Sequence, residues 1–135
     1  MNSFICAIAT NDKIHYAHTH FGDAKFYILY KIQINSAERM RIIENNTLNY
    51  KEKTHADPKK AGNVVKMLTK ENTYVVVSAV YGPNIKRIKS KFVCLLVDKG
   101  KISNSIPRIV DNFNLIQQEW EAGEKREYLN LRRDT

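Results

Sequence analysis

The sequence predicts a single α/β domain in which helices cover both faces of a mixed sheet. Two observations lead to this prediction. Three candidate strands follow one another in the first part of the chain, and the later part alternates strand, helix, strand and helix. Such alternation requires crossover connections that place helices over the sheet. The 135 residues suffice for one domain of ordinary size.

The first part of the chain predicts a buried strand and a hairpin. Phe4 to Thr10 is mostly apolar, as in a strand buried on both faces. Lys25 to Ile34 is rich in aromatic and β-branched residues, and Ala37 to Glu44 continues extended after the polar turn Asn35-Ser36. Asn45 to Asp57 has neither a helical nor a strand period, so we expect an exposed loop there.

The later part predicts helices that alternate with buried strands. Asp57 and Pro58 are typical of a helix start, and apolar residues at helical spacing continue to about Asn72. The next expected elements are the strand Tyr74 to Tyr81, a short basic helix after Asn84, the strand Phe92 to Val97, and an amphipathic helix that Ser105 caps and that reaches Trp120. We expect residues 1–121 to form the domain and residues 122–135 a charged tail.

Composition favours a cytoplasmic protein with an anionic partner. Lys and Arg number 22 against 14 Asp and Glu, which gives a net charge of +8. This charge suits nucleic acid, phosphorylated metabolites or anionic metal clusters, and it equally suits a solvated surface without a partner. No apolar run approaches the roughly 18 to 20 residues that cross a membrane. Cys6 and Cys94 each lie in an apolar run and are expected to be buried, reduced side chains.

Three of the four histidines lie in the segment His15 to Gly22, between two predicted strands. Imidazole is a common metal ligand, and in an extended segment His18 and His20 would point to the same side and could share one ion. His55, or a carboxylate such as Asp12 or Asp23, would supply a third ligand. The spacing matches no structural zinc pattern, so loop histidines without a metal remain the alternative.

The turn Gly82-Pro83-Asn84 is a second candidate site. It lies at the carboxyl end of a predicted strand, where open α/β sheets tend to bind ligands. Backbone N–H groups at the following helix start, with Lys86 and Arg87 nearby, would suit an anion. A turn that only redirects the chain is the alternative interpretation.

Common catalytic motifs are missing from the sequence. It contains no Gly-x-Gly-x-x-Gly, no phosphate-binding loop, no Gly-x-Ser-x-Gly and no His-Glu-x-x-His. No carboxylate lies inside an apolar strand, where a two-metal site would need it. The usual catalytic arrangements are therefore absent, and we do not expect nuclease activity.

The order of these features resembles the dinitrogenase iron-molybdenum cofactor biosynthesis family. The landmarks are Ile8-Ala9-Thr10-Asn11-Asp12, His20-Phe21-Gly22-Asp23-Ala24-Lys25-Phe26, His55-Ala56-Asp57-Pro58-Lys59-Lys60-Ala61 and Tyr81-Gly82-Pro83-Asn84-Ile85-Lys86-Arg87-Ile88-Lys89. The resemblance runs from about Phe4 to Trp120. It implies a ribonuclease H-like three-layer α/β/α fold whose five-stranded mixed sheet has an antiparallel second strand.

The resemblance also implies a role without catalysis, as a carrier of iron-molybdenum cofactor or of iron-sulfur precursors. His20, Gly22 and Ala24 match the family's His-Phe-Gly-x-Ala positions, and Gly82, Pro83 and Asn84 match its strand-to-helix turn. Together with the patterns described above, this gives His20, Gly22, Gly82, Pro83, Asn84 and Lys86 as the candidate cofactor-binding residues, and His18, His20 and His55 as the candidate metal ligands. Many relatives have cysteines and histidines in the middle loop, where this chain offers only His55.

Three functions follow as hypotheses. The first is a cytoplasmic accessory or carrier protein that binds an anionic metallocluster, or a simpler metal, and passes it to a protein partner. The second is a nucleic-acid-binding module without nuclease activity, motivated by the net charge of +8 and the implied fold. The third is a subunit that docks on a partner through its tail. The first is preferred, with nucleic acid and membranes not expected as partners.

Overall fold

The structure is a computed structural model that describes residues 1–47 and 58–133, with backbone alone for residues 58–61. The strands are β1 (Ser3–Thr10), β2 (Phe26–Gln33), β3 (Ser36–Glu44), β4 (Thr73–Ser78), β5 (Val93–Leu96) and β6 (Leu129–Asn130). The helices are α1 (Pro58–Thr69), α2 (Ile85–Ile88), α3 (Ile106–Asp111) and α4 (Phe113–Glu121). Short 3-10 helices occur at Phe21–Asp23, Ile102–Asn104 and Gly123–Lys125. None of the helices in these ranges has the length and apolar content to cross a membrane.

The strands form a mixed sheet in the order β3-β2-β1-β4-β5-β6. β2 is antiparallel to both of its neighbours, whereas β4 is parallel to β1 and to β5. The predicted mixed sheet with an antiparallel second strand is therefore confirmed. The expected number of five strands is wrong, because β6 pairs in parallel with β5 in the segment predicted as a charged tail. A two-residue strand carries too little periodicity to be predicted.

β1 and β4 lie in the middle of the sheet, and this position explains their apolar runs. Ile8 of β1 pairs with Ile28 of β2 on one side and with Val77 of β4 on the other. Both faces of these strands are covered, so nearly every residue of each run is buried. The prediction that β1 is buried on both faces is confirmed.

Two apolar cores lie on opposite faces of the sheet. One core joins Ile8 and Val77 to α3 and α4, through residues such as Phe113. The other joins Ala7 and Ala9 to α1, α2 and four aromatic rings. The small alanine side chains leave room for those rings, which belong to Phe21, Tyr27, Tyr81 and Phe92. This second core carries the loop that contains His20.

The predicted long helix after Ser105 is interrupted at Asn112. Its backbone leaves the helical region at φ −101° and ψ 19°, and its side-chain amide donates to the carbonyl of Arg108 at 2.8 Å. Asparagine competes with the helical backbone in this way. The expected Ser105 side-chain cap is also wrong, because its hydroxyl is hydrogen-bonded to the buried Tyr16 hydroxyl and to the carbonyl of Ile102.

Asn45 and Thr47 correct the prediction of an exposed loop at its start, since both side chains are buried. The remaining ten positions of that predicted loop, residues 48–57, lie outside the described residues. His55 and the proposed cap Asp57 are among them, so their predicted roles stay predictions.

Candidate functional site

The turn that follows His20 is anchored in the core by Phe21. A 3-10 helix spans Phe21–Asp23, with His20 as its N-terminal flanking residue. The fully buried Phe21 ring lies 5.1 Å from the Tyr27 ring and 5.6 Å from the Tyr81 ring, measured between centroids. Aromatic pairs at this separation contribute about 0.5–1.5 kcal/mol each beyond area burial. The packing of Phe21 therefore fixes the backbone position from which the His20 side chain extends.

Side-chain donors hold the carbonyl groups of the same turn. The Tyr27 hydroxyl donates to the carbonyl of Phe21 at 2.7 Å. The Asn45 side-chain amide donates to the carbonyls of Gly22 and Ala24, at 2.9 and 2.8 Å. Buried hydrogen bonds of this kind are costly to break, because each carbonyl would lose a partner that replaces water. The buried side chains of Tyr27 and Asn45 thus hold this turn in place.

Asn45 supports the candidate site and was missed by sequence reasoning. It lies at the end of β3, in a polar segment that has no periodicity. Its oxygen accepts from the backbone N–H of Thr47 at 3.0 Å and from the Thr47 hydroxyl at 2.6 Å, so all of its polar atoms are used. An isolated asparagine among polar neighbours offers no signal that it will be buried.

The His20 imidazole lies directly against Gly82. A β-carbon placed on Gly82 would lie 2.6 Å from Cγ and 2.7 Å from Cε1 of His20, and closer still to Nδ1. Gly82 also has φ +78°, a conformation that favours glycine. The structure therefore brings together two predicted site residues that are 62 positions apart in the sequence.

Packing in the second core explains this contact. Phe21 follows His20 in the chain, Tyr81 precedes Gly82, and their rings are stacked at an interplanar angle of 26°. The Tyr81 hydroxyl donates to the carbonyls of Val76 and Leu95, at 3.0 and 2.8 Å, which fixes Tyr81 beneath the ends of β4 and β5. Stacking inside the core thus aligns the histidine and the glycine outside it.

The helix start after Gly82 offers less to an anion than the sequence suggested. α2 has only one turn, and the N–H of Ile85 donates to the carbonyl of Gly82 at 3.3 Å. Pro83 is exposed and has no N–H, and Asn84 forms no side-chain cap. One turn has a small helix dipole. Attraction of an anion here must therefore come from nearby cationic side chains.

The basic side chains near this turn differ in their surroundings. Lys86 and Arg87 are exposed, and the Arg87 guanidinium is 3.3 Å from the Asn84 side-chain oxygen. Lys89 instead forms a 2.9 Å ion pair with Glu127. Lys86 and Arg87 therefore provide the positive charge on this side of the proposed site.

The other histidines differ from His20 in their surroundings. The His15 ring bonds to the Asp12 carboxylate at 2.7 Å. The same carboxylate accepts the N–H groups of His15 and Ile14, and together these bonds hold the pKa of Asp12 well below its usual range. Asp12 is thus engaged within its own loop. His18 is exposed, and a bend at His18 and Thr19 replaces the extended geometry that would have aligned it with His20.

The described residues include no group of three or more His, Cys, Asp or Glu side chains that could hold a metal ion. The two cysteines are fully buried in separate cores, as predicted. Burial raises the pKa of Cys6 and of Cys94 to about 12. Thiolates are the form that binds metal, and both side chains are closed off from solvent, so neither is a candidate ligand.

Comparison with known proteins identifies the family. A sequence model of the family described as dinitrogenase iron-molybdenum cofactor matches residues 2–112. The chain belongs to this dinitrogenase iron-molybdenum cofactor family. The recognition from ordered landmarks is therefore confirmed, and the name of the family points to iron-molybdenum cofactor. No curated protein matches the chain.

A solved structure shares the fold. It is the crystal structure of a protein from Methanocaldococcus jannaschii that is provisionally described as a dinitrogenase. The two chains are 18% identical, the TM-score is 0.53, and the alignment covers 88% of this chain and 93% of the other. At 18% identity, this similarity shows that the two proteins share a fold and nothing further.

Proposed function

We propose that this protein is an accessory or carrier protein without enzymatic activity, which binds a preformed iron-molybdenum or iron-sulfur species through His20. The contact between His20 and Gly82 carries the proposal. A side chain that binds a large cluster and later releases it needs a fixed orientation. Packing against Gly82 fixes one side of the His20 imidazole. Nδ1, Cγ and Cε1 are the ring atoms nearest to Gly82, so Nε2, the ring nitrogen farther from the glycine, is the atom we assign to the cluster.

The donor set suits a preformed cluster better than a single metal ion. A bare ion needs about four ligands from the protein, and no such group exists among the described side chains. In a preformed cluster bridging sulfide already binds each iron, so the protein supplies only terminal ligands, and we assign one or two of these to imidazole. His18 and His55 remain proposed additional ligands, the former two positions from His20 and the latter in the segment outside the described residues.

The charge distribution supports an anionic cargo. Lys86 and Arg87 are exposed beside the Gly82 turn, and the whole chain carries +8. Positive charge near a cluster site attracts an anion over a distance of about 8–10 Å at physiological salt. We therefore propose that Lys86 and Gly82 to Asn84 form the anion-facing wall of the site, with Gly22 in the opposite wall.

Further features complete the proposal. We assign the fold to the ribonuclease H-like group with an added sixth strand, place the protein in the cytoplasm, and expect a protein partner to receive the cargo. Nucleic acid and membranes are not proposed as partners.

Anaerobic titration with isolated iron-molybdenum cofactor, or with iron and sulfide, tests this function. Wild type should take up cluster, monitored by its visible absorption, and a variant with His18, His20 and His55 replaced by alanine should not. Equal uptake by that variant, or none by wild type, would contradict the proposal. Oligonucleotide binding that weakens steeply with salt and disappears on changing Lys86, Arg87 and Lys89 would favour the nucleic-acid alternative.

A further inference from the structure

An open cleft of about 850 Å³ lies beside the Gly82 turn, at the carboxyl ends of β4, β5 and β6. This volume lies within the range of small-molecule sites. Its floor consists of apolar side chains from the ends of β4 and β5 and from α2, among them Val80, Ile85 and Leu96. These three side chains are only partly buried, so they present apolar surface to the cleft.

The rim of the cleft combines an aromatic ring with two cations. The Tyr128 side chain is 47% exposed and lines the cleft. Lys99 and Arg132 are exposed on the same rim. Neither of these two cations forms an ion pair with a carboxylate of the described residues.

The carboxylate of Asp98, also on this rim, is already engaged. It accepts the backbone N–H of Arg133 at 3.0 Å and the Arg108 guanidinium at 3.3 Å. Asp98 thus holds the tail and α3 in place, and its charge is offset by Arg108. The excess charge at the mouth of the cleft is positive.

The segment that supplies Tyr128 and Arg132 is firmly held on the domain. Arg126 is buried, stacks over the Trp120 ring at 4.1 Å, and donates to the carbonyls of Trp120 and Ser90, at 2.9 and 3.0 Å. Farther along, the N–H of Leu131 donates to the carbonyl of Leu96 at 2.8 Å. The tail is therefore built into the cleft wall, beyond the residues 2–112 that match the family.

We propose that this cleft is a second binding site, for a small organic anion with an aromatic or branched apolar body. The body would lie on the floor formed by Val80, Ile85 and Leu96, against the Tyr128 ring. The carboxylate, sulfonate or phosphate group would pair with Arg132 and Lys99. Guanidinium groups bind such oxyanions through two parallel N–H donors, which makes Arg132 the main specificity residue.

The proposal does not depend on cluster binding by His20. None of the side chains assigned to the organic anion ligates the proposed cluster, although Gly82 lines the cleft and contacts His20. The two sites therefore adjoin through the Gly82 turn, and each can be tested without the other.

Backbone amide NMR with naphthalene-2-sulfonate as the probe tests the inference. The neutral naphthalene-2-sulfonamide tests the role of charge, and sulfate tests the role of the apolar body. We expect saturable shifts confined to amides around residues 79–85, 96–99 and 128–132, with an affinity at least tenfold higher than for either comparison compound.

Variants make the test specific to the cleft. Arg132→Gln should weaken binding of naphthalene-2-sulfonate about tenfold and Tyr128→Ala about fivefold, whereas Arg133→Gln, the matched control next to Arg132, should bind as wild type does. No saturation at millimolar probe, shifts scattered over other surfaces, equal binding of the sulfonamide, or equal binding by Arg132→Gln would overturn the proposal.

Discussion

The imidazole of His20 occupies the space that a side chain on Gly82 would need. A β-carbon there would come within 2.6 Å of Cγ of His20, well inside van der Waals contact. The glycine is therefore required for the position of the histidine as well as for its own backbone conformation at φ +78°. This dual requirement makes the proposed site sensitive to a single methyl group.

Gly82→Ala should displace the His20 ring and destabilise the fold. Alanine at positive φ costs about 1–2 kcal/mol, and the overlap with the imidazole adds to this cost. We expect a loss of about 2 kcal/mol or more in the free energy of unfolding, measured by urea denaturation. The ¹³C and ¹⁵N resonances of the His20 ring should shift in the same variant.

Gly62→Ala is the matched control for this change. Gly62 lies in α1, and a β-carbon there would meet no atom within 4 Å. Alanine is the better helix former by about 1 kcal/mol, so this variant should be slightly more stable and leave His20 unchanged. Wild-type stability and unshifted His20 resonances in Gly82→Ala would show that the two residues are not in contact.

Asn45→Asp should loosen the turn that carries His20. Aspartate keeps the oxygen that accepts from Thr47 but loses the amide that donates to the carbonyls of Gly22 and Ala24. A buried carboxylate facing two carbonyl oxygens should cost about 2–4 kcal/mol. Hydrogen exchange should show faster exchange of the N–H of Asp23, which donates to the carbonyl of His20 at 2.9 Å.

The exposed Asn46→Asp, at the next position, is the control for that experiment. It should change the stability by no more than about 0.5 kcal/mol, as is usual for surface substitutions. If the two variants were equally stable, the assigned role of Asn45 would be wrong.

The stability of the fold should fall at alkaline pH because of the two buried thiols. Burial raises the pKa of Cys6 and Cys94 from about 9 to about 12, so the folded state keeps protons that the unfolded state loses. This contribution is fully present below pH 9 and is lost as the pH rises toward 12. Each thiol should lower the free energy of unfolding by about 1.4 kcal/mol per pH unit in that interval.

Urea denaturation between pH 8 and pH 10.5 measures this decline. The double variant Cys6→Ala, Cys94→Ala should show a shallower slope, whatever its stability at pH 8. The buried tyrosines, whose pKa values are also raised by burial, leave a residual slope that begins at higher pH. Identical slopes in wild type and the double variant would mean that the thiols are not in the environment described.

Elements with long, regular patterns were predictable from the sequence. The apolar runs of β1 and β4, the hairpin of β2 and β3, and the burial of both cysteines follow from residue type and spacing. The family landmarks also identify His20 and Gly82 as site residues. The landmarks do not predict that the two residues are in contact, because that contact depends on the stacking of Phe21 on Tyr81.

Elements set by single tertiary contacts were not predictable. β6 exists because two residues of the tail meet the edge of β5, and Arg126 holds the tail there through carbonyl groups that no pattern identifies. Asn112 interrupts a helix whose apolar stripe continues through it. Asn45 is buried where its side-chain amide donates to the carbonyl of Gly22, in the turn after His20. Each depends on partners distant in sequence.

Pulsed electron paramagnetic resonance of the cluster-loaded protein, labelled with ¹⁵N-histidine, tests the central claim most directly. We predict a ¹⁵N coupling from a directly bound imidazole in wild type and in the control His15→Ala, whose ring is paired with Asp12. The coupling should persist in the double variant His18→Ala, His55→Ala, which keeps His20, and should disappear when His20→Ala is added to that variant. A signal that persists after His20→Ala is added, or a loaded wild-type protein with no imidazole coupling, would contradict the assignment of His20 as the cluster ligand.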